Sequence, residues 1–148
     1  MQKLYIAYGS NLNILQMRYR CPDAKPYASG LINGWKLVFR GSKTGSYCSI
    51  IKSPDDAVPV GIWEISEKDE KNLDLYEGYP RFYSKKYVTL RTITGEKHAM
   101  IYIINKTARP GVPSKRYIEV CKQGYKDFNL PLDILDQAIE FNKQECSV

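Results

Sequence analysis

The sequence predicts a mixed α+β fold from three observations. Near the start, the apolar run Leu4-Tyr5-Ile6-Ala7-Tyr8 stops at Gly9-Ser10-Asn11 and gives way to helical spacing, so a strand, a tight turn and a helix follow one another. The middle of the chain alternates as strands do, and residues 114–128 carry the clearest amphipathic helical stripe. A chain of 148 residues, 43% of them hydrophobic, suffices for one globular domain over 1–148 with its own core; two would be cramped.

After the opening turn, Asn11 or Asn13 is placed to cap a short helix in which Leu12, Leu15 and Tyr19 recur at helical spacing and face the core. Cys21-Pro22-Asp23 ends it. In residues 27–40 the pair Asn33-Gly34 reads as a turn between two strands, the second being Trp35-Lys36-Leu37-Val38-Phe39. Residues 41–47 are small and polar and read as a loop before a short strand around Ser49-Ile50-Ile51. Ser53-Pro54-Asp55-Asp56 is a turn cluster, and residues 58–65 form a strand with Val60, Ile62 and Glu64 on one face.

Ser66 caps the next helix, whose first turn holds Glu67 and Asp69 where the helix dipole favours acids. The helix stops near Gly78, because Pro80 cannot continue it and biases Tyr79 to extended geometry. Residues 87–92 and 97–104 make a hairpin around Thr94-Gly95-Glu96. Its second strand is apolar on both faces, which places it centrally in a sheet or inside a barrel. Residues 105–113 are a loop. Ser114 then caps a helix with Tyr117, Ile118, Cys121, Gly124, Tyr125 and Phe128 on one stripe, and Pro131 opens a last helix that aligns Leu135, Ala138, Ile139 and Asn142.

Composition narrows the function. No stretch approaches the roughly 18 to 20 consecutive apolar residues of a membrane span, and the start lacks a secretion signal, so a cytoplasmic chain without a membrane partner is expected. Cys21, Cys48, Cys121 and Cys146 are scattered without a CxxC pair, and His98 has no ligand partner nearby; neither a metal site nor a disulfide framework is expected. The formal charge of +6 attracts anions, but the basic residues are spread along the chain. Arg81-Phe82-Tyr83-Ser84-Lys85-Lys86-Tyr87 would suit base stacking, yet aromatics also favour any half-buried strand, and nucleic acid is not the expected partner. Phosphate-loop and dinucleotide glycine motifs are absent. With one histidine, acid/base chemistry falls to carboxylates or tyrosines.

Two places suit a site. At Gly9-Ser10-Asn11 the backbone can approach a ligand and the first helical amides lack partners, so the turn is either a plain helix start or an anion cradle. Glu77 ends a helix, where the dipole is unfavourable to a carboxylate, and shares a face with Leu73. If it points inward, desolvation and the helix end both raise its pKa.

Taken together, Tyr8-Gly9-Ser10-Asn11-Leu12, Leu75-Tyr76-Glu77-Gly78-Tyr79-Pro80 and Pro113-Ser114-Lys115-Arg116-Tyr117, followed by Gly124-Tyr125 and Leu130-Pro131, resemble the gamma-glutamylcyclotransferase family over nearly the whole chain. The resemblance implies a small β-barrel with flanking helices and a reaction without cofactors. In it, the α-amine of a γ-glutamyl group attacks its own γ-carbonyl, giving 5-oxoproline and a free amine. It also implies that Glu77 is the catalytic acid/base. Gly9, Ser10, Asn11 and Leu12 become the ligand-binding turn with Tyr8 at its edge, and Tyr102 and Tyr117 become pocket tyrosines. The implied partner is a small γ-glutamyl compound, and the chain is expected as a monomer or homodimer. Residues 129–134 depart from common family forms, where Gly before Leu-Pro and an aromatic at Ile134 are frequent, which bears on one pocket wall. The alternative is a non-catalytic module on the same fold that binds a γ-glutamyl group or an anion.

Overall fold

The computed structural model describes residues 3–42, 45–92, 95–105 and 107–147. Strand β1 (Lys3–Ala7) leads through a 310 turn (Ser10–Leu12) into helix α1 (Ile14–Arg20). Two long strands follow, β2 (Lys25–Ser42) and β3 (Gly45–Ile65), then helix α2 (Glu67–Glu77). The hairpin of β4 (Tyr83–Thr92) and β5 (Gly95–Ile104), a short β6 (Arg109–Pro110), and helices α3 (Lys115–Asp127) and α4 (Asp133–Cys146) complete the order. The strands form one sheet in the order β4-β5-β1-β3-β2-β6, curled into a half-barrel. All pairings are antiparallel except β1 with β5, which meet at Tyr5 and Met100.

Burial follows the apolar pattern. In β5, Ala99, Met100, Ile101, Tyr102 and Ile104 are buried, so both faces are covered, as a strand between β4 and β1 requires. Helix α2 begins with a capping box in which the Ser66 hydroxyl accepts from the Asp69 amide (3.1 Å) while Asp69 Oδ2 accepts from the Ser66 amide (3.3 Å). It ends at Gly78, whose φ of +66° is the left-handed cap that glycine adopts without penalty. Helix α3 buries Cys121, Gly124 and Tyr125, and α4 buries Leu135, Ala138 and Asn142.

Several expectations are corrected. Strand β3 runs through the expected turn cluster Ser53-Pro54-Asp55-Asp56, and β6 lies within the expected loop 105–113. Asn33-Gly34 is not a turn: β2 runs straight through it, and Gly34 (φ +84°) sits where the register steps from Trp35 opposite Lys52 to Asn33 opposite Ala57. A positive-φ glycine serves a bulge as well as a hairpin, and here β2 pairs with β3 on both sides of it. The expected loop at 41–47 belongs to the same ladder, with Gly41 opposite Ser46 and Ser42 opposite Gly45; Lys43 and Thr44 lie outside the described residues, as does Thr94 of the second expected turn. Lastly, Leu15 and Tyr19 do not face the core. Asn13 caps α1 by accepting from the Gln16 amide, and Leu12 belongs to the tighter 310 turn, so the helical phase starts afresh. Met17 is the buried residue, while Leu15 is 61% and Tyr19 83% exposed.

The packing of α3 fixes the 310 turn. A Cβ on Gly124 would lie 2.6 Å from the Asn13 nitrogen and 2.7 Å from the Leu12 carbonyl carbon, so the absence of a side chain lets helix and turn touch backbone to backbone. Asn13 Nδ2 donates to the Val120 carbonyl (3.1 Å) and the Ile14 amide to Asp127 Oδ2 (3.0 Å). Gly124→Ala should therefore cost roughly 1 to 3 kcal/mol by overpacking. Denaturant unfolding measures that loss, and a wild-type midpoint for the variant would contradict the contact.

Candidate active site

A cavity of about 410 Å³ lies between the 310 turn, the end of α2 and β5, within the usual 300 to 1,000 Å³ of small-molecule sites. Gly9, Ser10 and Asn11 line it from one side and Glu77 from the other. The turn is held at several points. The Tyr8 hydroxyl donates to the Tyr102 carbonyl (2.5 Å), and the Tyr8 carbonyl accepts from the Tyr125 hydroxyl (3.2 Å). Trp63 Nε1 donates to the Asn11 carbonyl (2.8 Å). At Gly9 a Cβ would come within 2.9 Å of Cys48 Cβ, so only glycine lets β3 pass so close. The Leu12 amide donates to the Gly9 carbonyl (3.1 Å), which leaves Ser10 and Asn11 as the turn amides available to a ligand.

Glu77 is half-buried on the cavity wall, one helical turn after the fully buried Leu73. Desolvation raises its carboxyl to about 7, and two neighbours pull the other way: the Arg20 guanidinium and a hydrogen bond from Asn11. Asn11 Nδ2 donates to Glu77 Oε1 (3.2 Å) and to the Tyr5 hydroxyl (2.9 Å), while Asn11 Oδ1 accepts from Arg20 Nη1 (2.5 Å). Arg20 is itself held by Gln16 Oε1 (2.7 Å) and lies 3.7 Å over the Tyr76 ring. The turn and the carboxylate, 66 residues apart, thus meet through one side-chain amide.

Of the residues expected at the site, Tyr8, Gly9, Ser10, Asn11, Glu77, Tyr102 and Tyr117 all line the cavity. Leu12 does not: its side chain is buried behind the turn, where a Cβ on Gly61 would meet it at 2.6 Å. The Tyr102 hydroxyl donates to Asp74 Oδ1 (2.6 Å), and burial pushes its pKa up, so its ring rather than its hydroxyl serves the cavity. The Tyr117 hydroxyl accepts from the Cys48 amide (2.9 Å) and has the Cys121 thiol as a second hydrogen-bond partner. The departure at residues 129–134 lies away from this cavity, with Ile134 lining a separate hollow beside Lys36 and Phe141.

Sequence reasoning missed Tyr5, Arg20 and Asp74. Asp74 precedes Glu77 by three residues and so shares its face, a signal that was present. It belongs to a layer in which Lys85 bonds both Asp74 (2.8 Å) and Glu70 (2.6 Å), and Lys3 bonds Glu70 (2.7 Å), fastening α2 to β4 and β1. Nothing local marks Tyr5 or Arg20. Among the described residues no cluster of His, Cys, Asp and Glu suits a metal ion, and no helix is long and apolar enough to cross a membrane. Cys21, Cys48, Cys121 and Cys146 are free.

The half-barrel sheet with flanking helices is shared with a solved structure described as gamma-glutamyl cyclotransferase. The two superpose with a TM-score of 0.81 over 100% of this chain and 88% of that one, at 26% identity. Residues 5–120 match the family described as "Gamma-glutamyl cyclotransferase, AIG2-like", and the chain belongs to that family. Among its relatives, gamma-glutamylcyclotransferase of Homo sapiens is 30% identical over 149 aligned positions, covering 94% of this chain and 79% of the human one. The Bos taurus protein of the same name is 31% identical over 140 positions, covering 88% and 73%. The chain is an enzyme of this family.

The raised carboxyl has a consequence for stability. A group that binds its proton more tightly when folded weakens the fold as pH rises from the unfolded value, 4.5, to the folded one, about 7. Above that window an ionised Glu77 costs roughly 3 to 4 kcal/mol, since each pKa unit is worth about 1.4 kcal/mol. Glu77→Gln should therefore be more stable than wild type at pH 8 by about that amount, and the gap should close below pH 4.5. Urea unfolding at both pH values measures it; a variant less stable at pH 8 would show that the carboxylate is favourably placed.

Proposed function

We propose that the chain is a gamma-glutamyl cyclotransferase in which Glu77 is the general base and then the general acid. The observation that carries this reading is a carboxyl with a pKa near 7, on the wall of a cavity and hydrogen-bonded by Asn11 of the glycine turn. The substrate carries both reacting groups, so the enzyme has to fold it, move protons and steady an oxyanion. Ionised Glu77 takes a proton from the substrate α-ammonium. The freed amine attacks the γ-carbonyl carbon, a C–N bond forms, and the carbonyl oxygen becomes an oxyanion. Attack leaves the new ring nitrogen positively charged. Collapse breaks the bond to the leaving nitrogen, which takes one proton from Glu77. The freed carboxylate then carries the surplus ring-nitrogen proton to the departing amine, giving 5-oxoproline and a free ammonium.

A group titrating near neutrality is suited to both transfers, because neither form is strongly favoured. The amides of Ser10 and Asn11 are the donors for an anionic oxygen of the substrate; one such donor at an oxyanion is typically worth about 3 to 4 kcal/mol. Tyr8 completes the polar edge, and the Tyr102 and Tyr117 rings are walls. Leu12 serves from behind, as the buried anchor of the turn.

The test is 5-oxoproline release from a panel of γ-glutamyl compounds. Glu77→Gln should lower kcat at least 10²- to 10⁴-fold, the usual span of acid/base catalysis, while staying folded. Binding without release by the wild-type chain would favour the non-catalytic module instead, and wild-type turnover in the Gln variant would overturn the assignment.

A second measurement addresses electrostatics. Arg20 stabilises the ionised form of Glu77, so Arg20→Met should raise the carboxyl pKa further and move the acid limb of the kcat/KM profile to higher pH. An unmoved limb would mean that the limb reports another group.

A further inference from the structure

The cavity rim is chemically divided. One arc is polar: Gly9 to Asn11, then Glu77, joined by the 3.2 Å hydrogen bond from Asn11. The other arc is aromatic and continuous. Phe82 begins it beside Gly78, where its amide donates to the Gly78 carbonyl (2.8 Å). Tyr47 meets Phe82 edge to face at 6.1 Å between ring centres, and Tyr117 meets Tyr47 in the same way at 5.4 Å. The arc closes at Gly9, where a Cβ would lie 3.2 Å from the Tyr117 hydroxyl oxygen. All three rings are only partly buried, although each is packed against its neighbour. Among the described lining residues, Glu77 is the one carboxylate, and no Lys, Arg or His lines the cavity.

We propose that Tyr47, Phe82 and Tyr117 form the leaving-group subsite, and that it selects γ-glutamyl compounds whose leaving amine carries a bulky apolar or aromatic body. The inference rests on the cyclotransferase reading. The glutamyl end has to meet the polar arc, because Glu77 and the Ser10 and Asn11 amides are there. The departing amine then extends across the opening towards the rings. Edge-to-face rings offer apolar area and a further aromatic partner, which reward a flat or branched side chain. A leaving group with its own carboxylate finds no cation on the wall and is held near Glu77, a like charge. Two arcs of opposite character give selectivity without any contact to the reacting atoms.

The test uses γ-glutamyl dipeptides that differ only in the leaving side chain: γ-glutamyl-phenylalanine, -leucine, -glycine and -glutamate. The α-carboxylate of the leaving residue is constant, so the ratios isolate the subsite. Wild type should turn over the phenylalanine compound with kcat/KM at least tenfold above the glycine compound, mainly through KM, and the glutamate compound should rank last. In Phe82→Leu and in Tyr47→Leu the phenylalanine-to-glycine ratio should fall towards 1. Being taken within one variant, that ratio is insensitive to partial loss of folded protein. A wild-type ratio at or below 1, or a ratio unchanged in both variants, overturns the subsite while leaving the cyclotransferase reading standing. No 5-oxoproline from any of the four compounds overturns both.

Discussion

The side-chain amide of Asn11 donates to the Tyr5 hydroxyl and to Glu77 and accepts from Arg20, so β1, α1 and the last turn of α2 converge on one group. Each partner is fixed in turn by something else. Tyr5 is buried in the central strand, Arg20 is clasped by Gln16 and the Tyr76 ring, and the Asn11 carbonyl is occupied by Trp63. An amide with both donor and acceptor engaged cannot rotate without breaking several bonds at once, which makes the carboxylate position a property of the whole core. Among the described residues no buried side-chain polar atom lacks a partner. This satisfaction allows a polar network to sit in an apolar interior.

The same arrangement explains how a carboxylate is kept at a poor place for a charge. Burial disfavours its ionised form, and Arg20 and Asn11 restore part of what burial removes, leaving the group poised between its two states. One turn earlier, Asp74 ties the helix to Tyr102 and Lys85, and Glu70 ties it to Lys3 and Lys85. Helix α2 is thus fastened by ion pairs through Glu70 and Asp74 and, at its last turn, by the hydrogen bond from Asn11 to Glu77. Its end gains little freedom to swing the strained charge out into water.

What could be read from the sequence was local. Ser66 with Asp69 three residues on, Gly78 ahead of Pro80, and the Leu73 to Glu77 spacing are each settled within one or two helical turns, and each agrees with the structure. Gly34 shows where such reasoning stops. A glycine after asparagine suits a hairpin and a bulge equally, and the choice depends on whether the flanking strands pair with each other or with a third. Leu15 and Tyr19 failed for a related reason, because a short 310 turn shifted the helical phase. At the site, the turn and Glu77 were each recognisable. Arg20, Tyr5, Tyr47 and Phe82 were not, since side chains distant along the chain meet there through tertiary packing.

Strand β1 stands between two halves of the sheet, the β4–β5 hairpin on one side and the β3–β2–β6 ribbon on the other. Strands β2 and β3, like β4 and β5, are joined by short connections and close at small entropic cost. By contrast β6 must find β2, and β1 must find Trp63 and Met100, far along the chain. The glycine turn hangs directly from β1, so the cavity is completed only when β1 joins the two halves of the sheet. A fragment ending before β5 would keep the turn, the glutamate and most of the ribbon, yet lack one of the strands between which β1 docks. The cavity is therefore indivisible along the chain: an N-terminal piece carries the turn and Glu77 but neither the strand that seats β1 nor the Tyr102 and Tyr117 walls.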